Sequence, residues 1–193
     1  MSVDLTSVCW DRPEILLKRS QELSRTRGGA TRKKDLGPPR WHVGLTSHPL
    51  PILAADRLYA QLLDAESSSA LIMGSRSNWQ PSYKASLSGV TVASVIANKL
   101  TLAGLPVGVE LPIGARLSVA VASGREYFQT LDLSDTGGGF RVEPAIRTIE
   151  AGDPVELTPP ILEVDVNPGS VVQLETTKHR KRVSFSGVQV IVQ

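Results

Sequence analysis

The chain has 193 residues, with 21 Lys and Arg against 19 Asp and Glu, 41% hydrophobic and 21% charged residues. That length suits one large domain or two small ones, each able to bury a core, and the composition is that of a folded protein. A single cysteine, Cys9, excludes an internal disulfide and a cysteine-based zinc cluster, and His42, His48 and His179 lack the pairing of a histidine metal site.

From the N-terminus, Met1 to Thr6 carries neither a basic segment nor an apolar one, so no signal peptide is expected and synthesis is expected in a cytoplasm. Glu14–Arg19 and Gln21–Ser24 read as strands. Arg27 to Pro39, rich in Gly, Pro and charge, reads as a long mobile loop. Arg40–Thr46 alternates, with Trp41, Val43 and Leu45 on one face of a strand. Ile52, Ala55, Leu58, Tyr59, Leu62 and Leu63 recur at helical spacing, which predicts a helix from about Pro51 to Glu66, with Pro51 in its first turn. Ser67-Ser68-Ser69 stops it, and Ala70–Gly74 follows as a short buried strand. The most apolar stretch, Val90 to Val109, contains Asn98, Lys99 and Pro106. It reads as one or two buried strands, not as a membrane span.

From about Lys84 the pattern changes to strands and tight turns. Candidate strands are Thr91–Leu102, Arg116–Ala122, Glu126–Leu133, Gly139–Glu143 and Pro154–Leu157. Five short strands in this stretch fit a small barrel of the OB type, and Thr158-Pro159-Pro160 ends it like a linker. Leu162–Val166, Ser170–Glu175 and Arg182–Val192 read as three more strands that need a sheet to join. The N-terminal region is the available partner. The expected architecture is mainly β with one helix: a discontinuous β-sandwich host domain, residues 1–83 plus 160–193, with an OB-like barrel, residues 84–159, inserted between.

Signs of chemistry are few. There is no glycine-rich dinucleotide loop and no phosphate loop. Gly137-Gly138-Gly139 reads as a hairpin turn. His42, Asp56 and a serine could compose a triad, but no nucleophile elbow accompanies them. Asp132 with Asp135, and Glu150 with Asp153, flank turns, and Cys9 beside Trp10 reads as a packed small apolar residue. The expectation is a protein that is not an enzyme and uses no metal or cofactor. Charge is distributed unevenly. Lys18 to Arg40 carries eight Lys and Arg against two acids, and Lys178 to Arg182 carries four basic residues and no acid, leaving −8 on the rest of a chain whose net charge is +2. Such clusters suit an acidic protein surface or nucleic acid. Residues 84–157 hold six basic against eight acidic residues, and their aromatic residues are Tyr127, Phe128 and Phe140, which argues against a stacking platform for single strands or sugars.

An ordered set of short motifs runs through the second half: Gly104-Leu105-Pro106, then Leu111-Pro112-Ile113-Gly114-Ala115-Arg116-Leu117, Tyr127-Phe128-Gln129, Gly138-Gly139-Phe140-Arg141-Val142-Glu143-Pro144-Ala145-Ile146-Arg147, and Gly152-Asp153-Pro154-Val155-Glu156-Leu157. With Arg27-Gly28-Gly29 and the Arg40-Trp41 strand ahead of the helix, this order resembles the distal tail proteins of long-tailed bacteriophages and gene transfer agents. Gly114-Ala115 departs from the usual Gly-Asp, and Ile146 from the frequent Leu. The resemblance implies a homohexameric ring in the virion, joining the tail tube protein to the baseplate hub or tip protein. Its central hole would let DNA and the tape-measure protein pass, with no specific nucleic-acid contact, no membrane insertion and no active site. Arg27, Arg32, Lys33, Lys34, Arg40, Lys178, Arg180, Lys181 and Arg182 are the candidate interface residues. The rival expectation is a monomeric OB-type module that binds carbohydrate or single-stranded nucleic acid.

Overall fold

A computed structural model of the chain describes residues 2–25, 29, 31–73, 87–133 and 139–191. In chain order its elements are β1 (Ser2–Asp4), β2 (Trp10–Lys18), β3 (Gln21–Arg25), β4 (Thr31–Asp35), β5 (Arg40–Ser47), β6 (Leu50–Pro51), α1 (Ile52–Ala65) and β7 (Ser69–Met73). These are followed by β8 (Thr91–Ile96), β9 (Lys99–Ala103), β10 (Arg116–Val121), β11 (Gly124–Thr130), β12 (Gly139–Glu143), β13 (Val155–Glu156), β14 (Ile161–Val166), β15 (Val172–Thr177) and β16 (Arg180–Gln189). The protein is mainly β with a single helix among the described residues.

The strands nearest the two ends of the chain share one sheet, in the order β1-β7-β14-β16-β5-β2, with β15 and β6 also pairing to β16. Period-two side-chain alternation explains its two faces. On β5, Trp41, Val43, Leu45 and Ser47 point inward, and on β16 Val183, Phe185, Gly187 and Gln189 do the same, in register with them. The opposite face presents Arg40, His42, Gly44 and Thr46 from β5, with Ser184, Ser186 and Val188 from β16, and none of these is fully buried. Helix α1 lies on the inward face with Ala55, Leu58, Leu62 and Ala65 buried. Ile52 and Leu63, which share the apolar spacing, stay exposed, so the buried stripe is narrower than the periodicity implies. The expected two-layer sandwich takes the form here of one hydrogen-bonded sheet.

The middle of the chain builds a six-stranded sheet, β13-β10-β11-β12-β9-β8. Its two ends meet: Val92 donates to the Asp153 carbonyl at 2.9 Å, Gly152 to Val92 at 2.8 Å and Val155 to Val90 at 2.9 Å. Satisfying these edge groups removes the open edges that a curled sheet would otherwise expose. The stretch expected as one strand, Thr91–Leu102, is instead two, β8 and β9, turning at Ala97 and Asn98. Ala97 holds φ 53°, a conformation that glycine or asparagine usually marks, so turn chemistry was silent there.

Residues 31–35 correct a second expectation. Lying within the stretch read as a mobile loop, they form β4, which closes a hairpin with β3, itself expected as a strand over Gln21–Ser24, with Gly29 at φ 81° in the connection. Neither face of this hairpin is covered, so it has no amphipathic alternation to announce it. Cross-strand pairs hold it instead: Glu22 lies opposite Lys34, and the Gln21 amide donates to the Asp35 carboxylate at 2.7 Å.

The buried apolar residues fall into two clusters, one built on the large sheet and α1, the other within residues 87–157. Tyr127, on β11, belongs by packing to the first cluster. Its ring meets Trp41 edge-on with centroids 5.4 Å apart, and the Trp41 indole N–H donates to the Tyr127 carbonyl at 3.0 Å. The Arg116 guanidinium stacks 4.8 Å above the Trp41 ring and donates to the Ile15 carbonyl at 3.3 Å. The Ser118 hydroxyl, in turn, accepts from Ile161 N–H at 2.8 Å.

Candidate functional site

The expected interface residues divide into two groups with different surroundings. In the C-terminal group the charges are largely matched within the chain. Lys181 pairs with Asp56 at 3.2 Å, Arg182 pairs with Asp11 at 3.0 Å, and Arg180 donates to the Pro49 carbonyl at 3.5 Å. Asp56 also accepts from Gln173 at 2.7 Å; this bond, and then the Lys181 contact, hold its carboxyl below the usual range. Lys178 sits exposed in the turn between β15 and β16.

The N-terminal group lies on and under the β3–β4 hairpin. Lys33 and Lys34 are exposed on β4, and every residue of β3 is exposed. Arg27 lies outside the described residues; Arg32 is part of β4, but its side chain is not described. The hairpin pairs with no other strand, and its base is tied by Leu36 N–H donating to Ser20 at 2.8 Å. Leu23 and Leu36 remain 63% and 59% exposed, so the arm presents apolar as well as cationic surface.

Below that base is a cleft of about 410 Å³ lined by Lys18, Arg19, Leu36, Pro38, Arg40 and His42 among others. Two strands position its cations: β2 and β5 are antiparallel neighbours, and their register sets Lys18 directly opposite Arg40. Arg19 is ion-paired with Glu143. His42 is half-buried beside them. Its removal from water, followed by the Lys18 and Arg40 charges, pushes its pKa below the usual histidine value.

The residues weighed for catalysis are not brought together. His42 is on β5, whereas Asp56 is on α1 and occupied by Gln173 and Lys181. Asp132 accepts from Arg141, through the backbone N–H at 2.6 Å and Nε at 2.7 Å; these bonds lower its pKa. Asp153 accepts from Glu150 N–H at 2.8 Å, an ordinary turn closure. Asp135, Gly137 and Gly138 lie outside the described residues. Cys9 is exposed, which corrects the expectation that it packs; it lies ahead of β2, where its backbone carbonyl accepts from His48 N–H at 3.3 Å. No cluster of potential metal ligands occurs among the described residues, and no helix there is long and apolar enough to cross a membrane.

The buried settings of two polar positions were not expected from the sequence. Glu126 is almost fully buried and accepts from Thr148, at 2.8 Å from its N–H and 2.6 Å from its hydroxyl, and from Arg147 N–H at 3.3 Å. It anchors a loop, and those donors use the carboxylate that chemistry would need. Tyr127 is buried, and that burial pushes its phenol up to about 12, with the Arg116 charge acting in the opposite direction. Phe128 and Phe140 are buried with it, so none of the three aromatics offers an open face to a base or a sugar. No protein-family model matches the chain, and no curated protein matches it significantly.

Proposed function

We propose that this protein is a structural distal tail protein of a long-tailed bacteriophage or gene transfer agent, whose copies form a homohexameric ring joining the tail tube to the baseplate hub or tip. The observation that carries the proposal is the β3–β4 hairpin, a cationic, partly apolar arm that pairs with no other strand among the described residues and whose described side chains are exposed. An exposed two-stranded ribbon is at best marginally stable alone, so an arm of this kind suits contact with another subunit. A ring closes through one heterologous interface repeated, and a basic arm on a body carrying −8 elsewhere supplies the two complementary patches. In this proposal residues 1–83 plus 160–193 form the sandwich-type ring domain, and residues 84–159 an OB-like barrel decorating it. The two separate buried clusters support that division. Tail tube, hub and tape-measure proteins are the partners it implies, the virion tail tip is its location, and no catalytic step is assigned. The buried aromatics of the middle sheet weigh against the rival monomeric binding module.

Reversing Arg32, Lys33 and Lys34 together to Glu tests the proposal. The expected result is loss of the ring and of tail joining, measured by the mass of the assembly and by electron microscopy of particles. Rings and tails that form as in the wild type would overturn the role of the arm. A strictly monomeric chain within assembled particles would overturn the ring itself.

A further inference from the structure

Several cations of this fold are matched within the chain. Arg19, Arg125, Arg141, Lys181 and Arg182 each have a carboxylate partner, and Arg116 is stacked on Trp41. On the large sheet, Lys18 and Arg40 are not among these matched cations. They face each other across β2 and β5 and have no carboxylate partner among the described residues. Like charges placed directly opposite on paired strands destabilise the pair. Here they also line a cleft, with His42 one step along the same face of β5 and Arg19 on the wall.

We infer that this cleft is a binding site for a phosphate-bearing ligand, held by Lys18 and Arg40 from adjacent strands, with a ring N–H of His42 as a neutral donor. The cleft, about 410 Å³, has room for a condensed phosphate or a backbone phosphate with its sugar. Two cations and a neutral N–H donor match the charge and the several oxygens of a phosphoryl group, and the guanidinium fork can engage two of them at once. An anion seated there would relieve the Lys18–Arg40 repulsion that the fold otherwise sustains. The inference does not depend on the ring proposal, because its residues lie at the hairpin base and its test leaves Arg32, Lys33 and Lys34 unaltered.

The test titrates the wild-type protein with pyrophosphate, following the His42 ring resonances by NMR and the melting temperature. Saturable shifts of His42 and a raised melting temperature are expected. Lys18→Gln and Arg40→Gln should each weaken pyrophosphate at least about tenfold, the usual scale for losing a hydrogen bond to a charged group. Both should melt no lower than the wild type without ligand, because each removes the like-charge pair. A second arm uses a short DNA duplex: tighter binding than pyrophosphate, with a steep salt dependence, assigns the phosphate to nucleic acid, whereas tighter pyrophosphate binding assigns it to a small anion. Unmoved His42 resonances at saturating pyrophosphate, variants that bind as well as the wild type, or preferential binding of a polyglutamate peptide would each overturn the inference.

Discussion

At the scale of single residues, Tyr127 is the informative side chain. It sits on β11 yet packs into the core of the other sheet, and its hydroxyl has no hydrogen bond of normal geometry. A buried hydroxyl without a partner costs about 1–3 kcal/mol. Tyr127→Phe is therefore expected to match or exceed the wild-type stability in urea denaturation at neutral pH. The sign of its pH dependence follows from the raised pKa. The unfolded phenol loses its proton near 10 and the folded one at about 12, so the contribution is intact below pH 10 and is lost as pH rises towards 12. The steeper loss of wild-type stability across that window should be absent in Tyr127→Phe. The sequence marked Tyr127 only as an aromatic of the expected barrel, because alternation on β11 says which face it occupies but not which core that face meets.

At the scale of elements, β16 is the strand on which the large sheet depends, since it pairs with β14, β15, β5 and β6. Gly187 lies where it passes β14, and a Cβ built there would stand 2.7 Å from the Asp165 carbonyl oxygen. Backbone at that distance cannot move aside as a flexible side chain would. Gly187→Ala is expected to destabilise by about 1–3 kcal/mol, as overpacking does, read as a lowered thermal midpoint. The long alternation of this strand and of β5, and the helical spacing of α1, were legible because each element has one buried face. Of the β3–β4 hairpin, β3 was legible as a strand over Gln21–Ser24 but β4 was not, because the hairpin's faces are open and its stabilising pairs lie across the strands. The turn at Ala97 was missed for a different reason: its residue does not advertise its backbone conformation.

At the scale of the molecule, the two sheets are joined where Trp41 of β5 meets Tyr127 of β11 and Arg116 of β10. Trp41 is fully buried, hydrogen-bonded to Tyr127 and covered by the Arg116 guanidinium, so truncating it opens a cavity where the two sheets are joined. Trp41→Ala is expected to cost about 3–5 kcal/mol and to split a single calorimetric transition into two, as the clusters lose their coupling. One undivided transition in that variant would show that the joint lies elsewhere. The candidate site belongs to this scale as well. The sequence alone showed a basic excess from Lys18 to Arg40 and another from Lys178 to Arg182, but only the folded chain distinguishes them. Asp56 and Asp11, far away in sequence, pair with Lys181 and Arg182 of the second, whereas the register of β2 and β5 leaves Lys18 and Arg40 facing each other without an acid.

Length, one cysteine and apolar periodicity by themselves determined a mainly β protein without an internal disulfide and with one helix among the described residues, because burial of a patterned face is a local property of the chain. Tertiary structure decided which strands share a sheet, which charges are cancelled and where an uncovered arm and a cationic cleft remain, because those depend on partners brought together from opposite ends of the sequence.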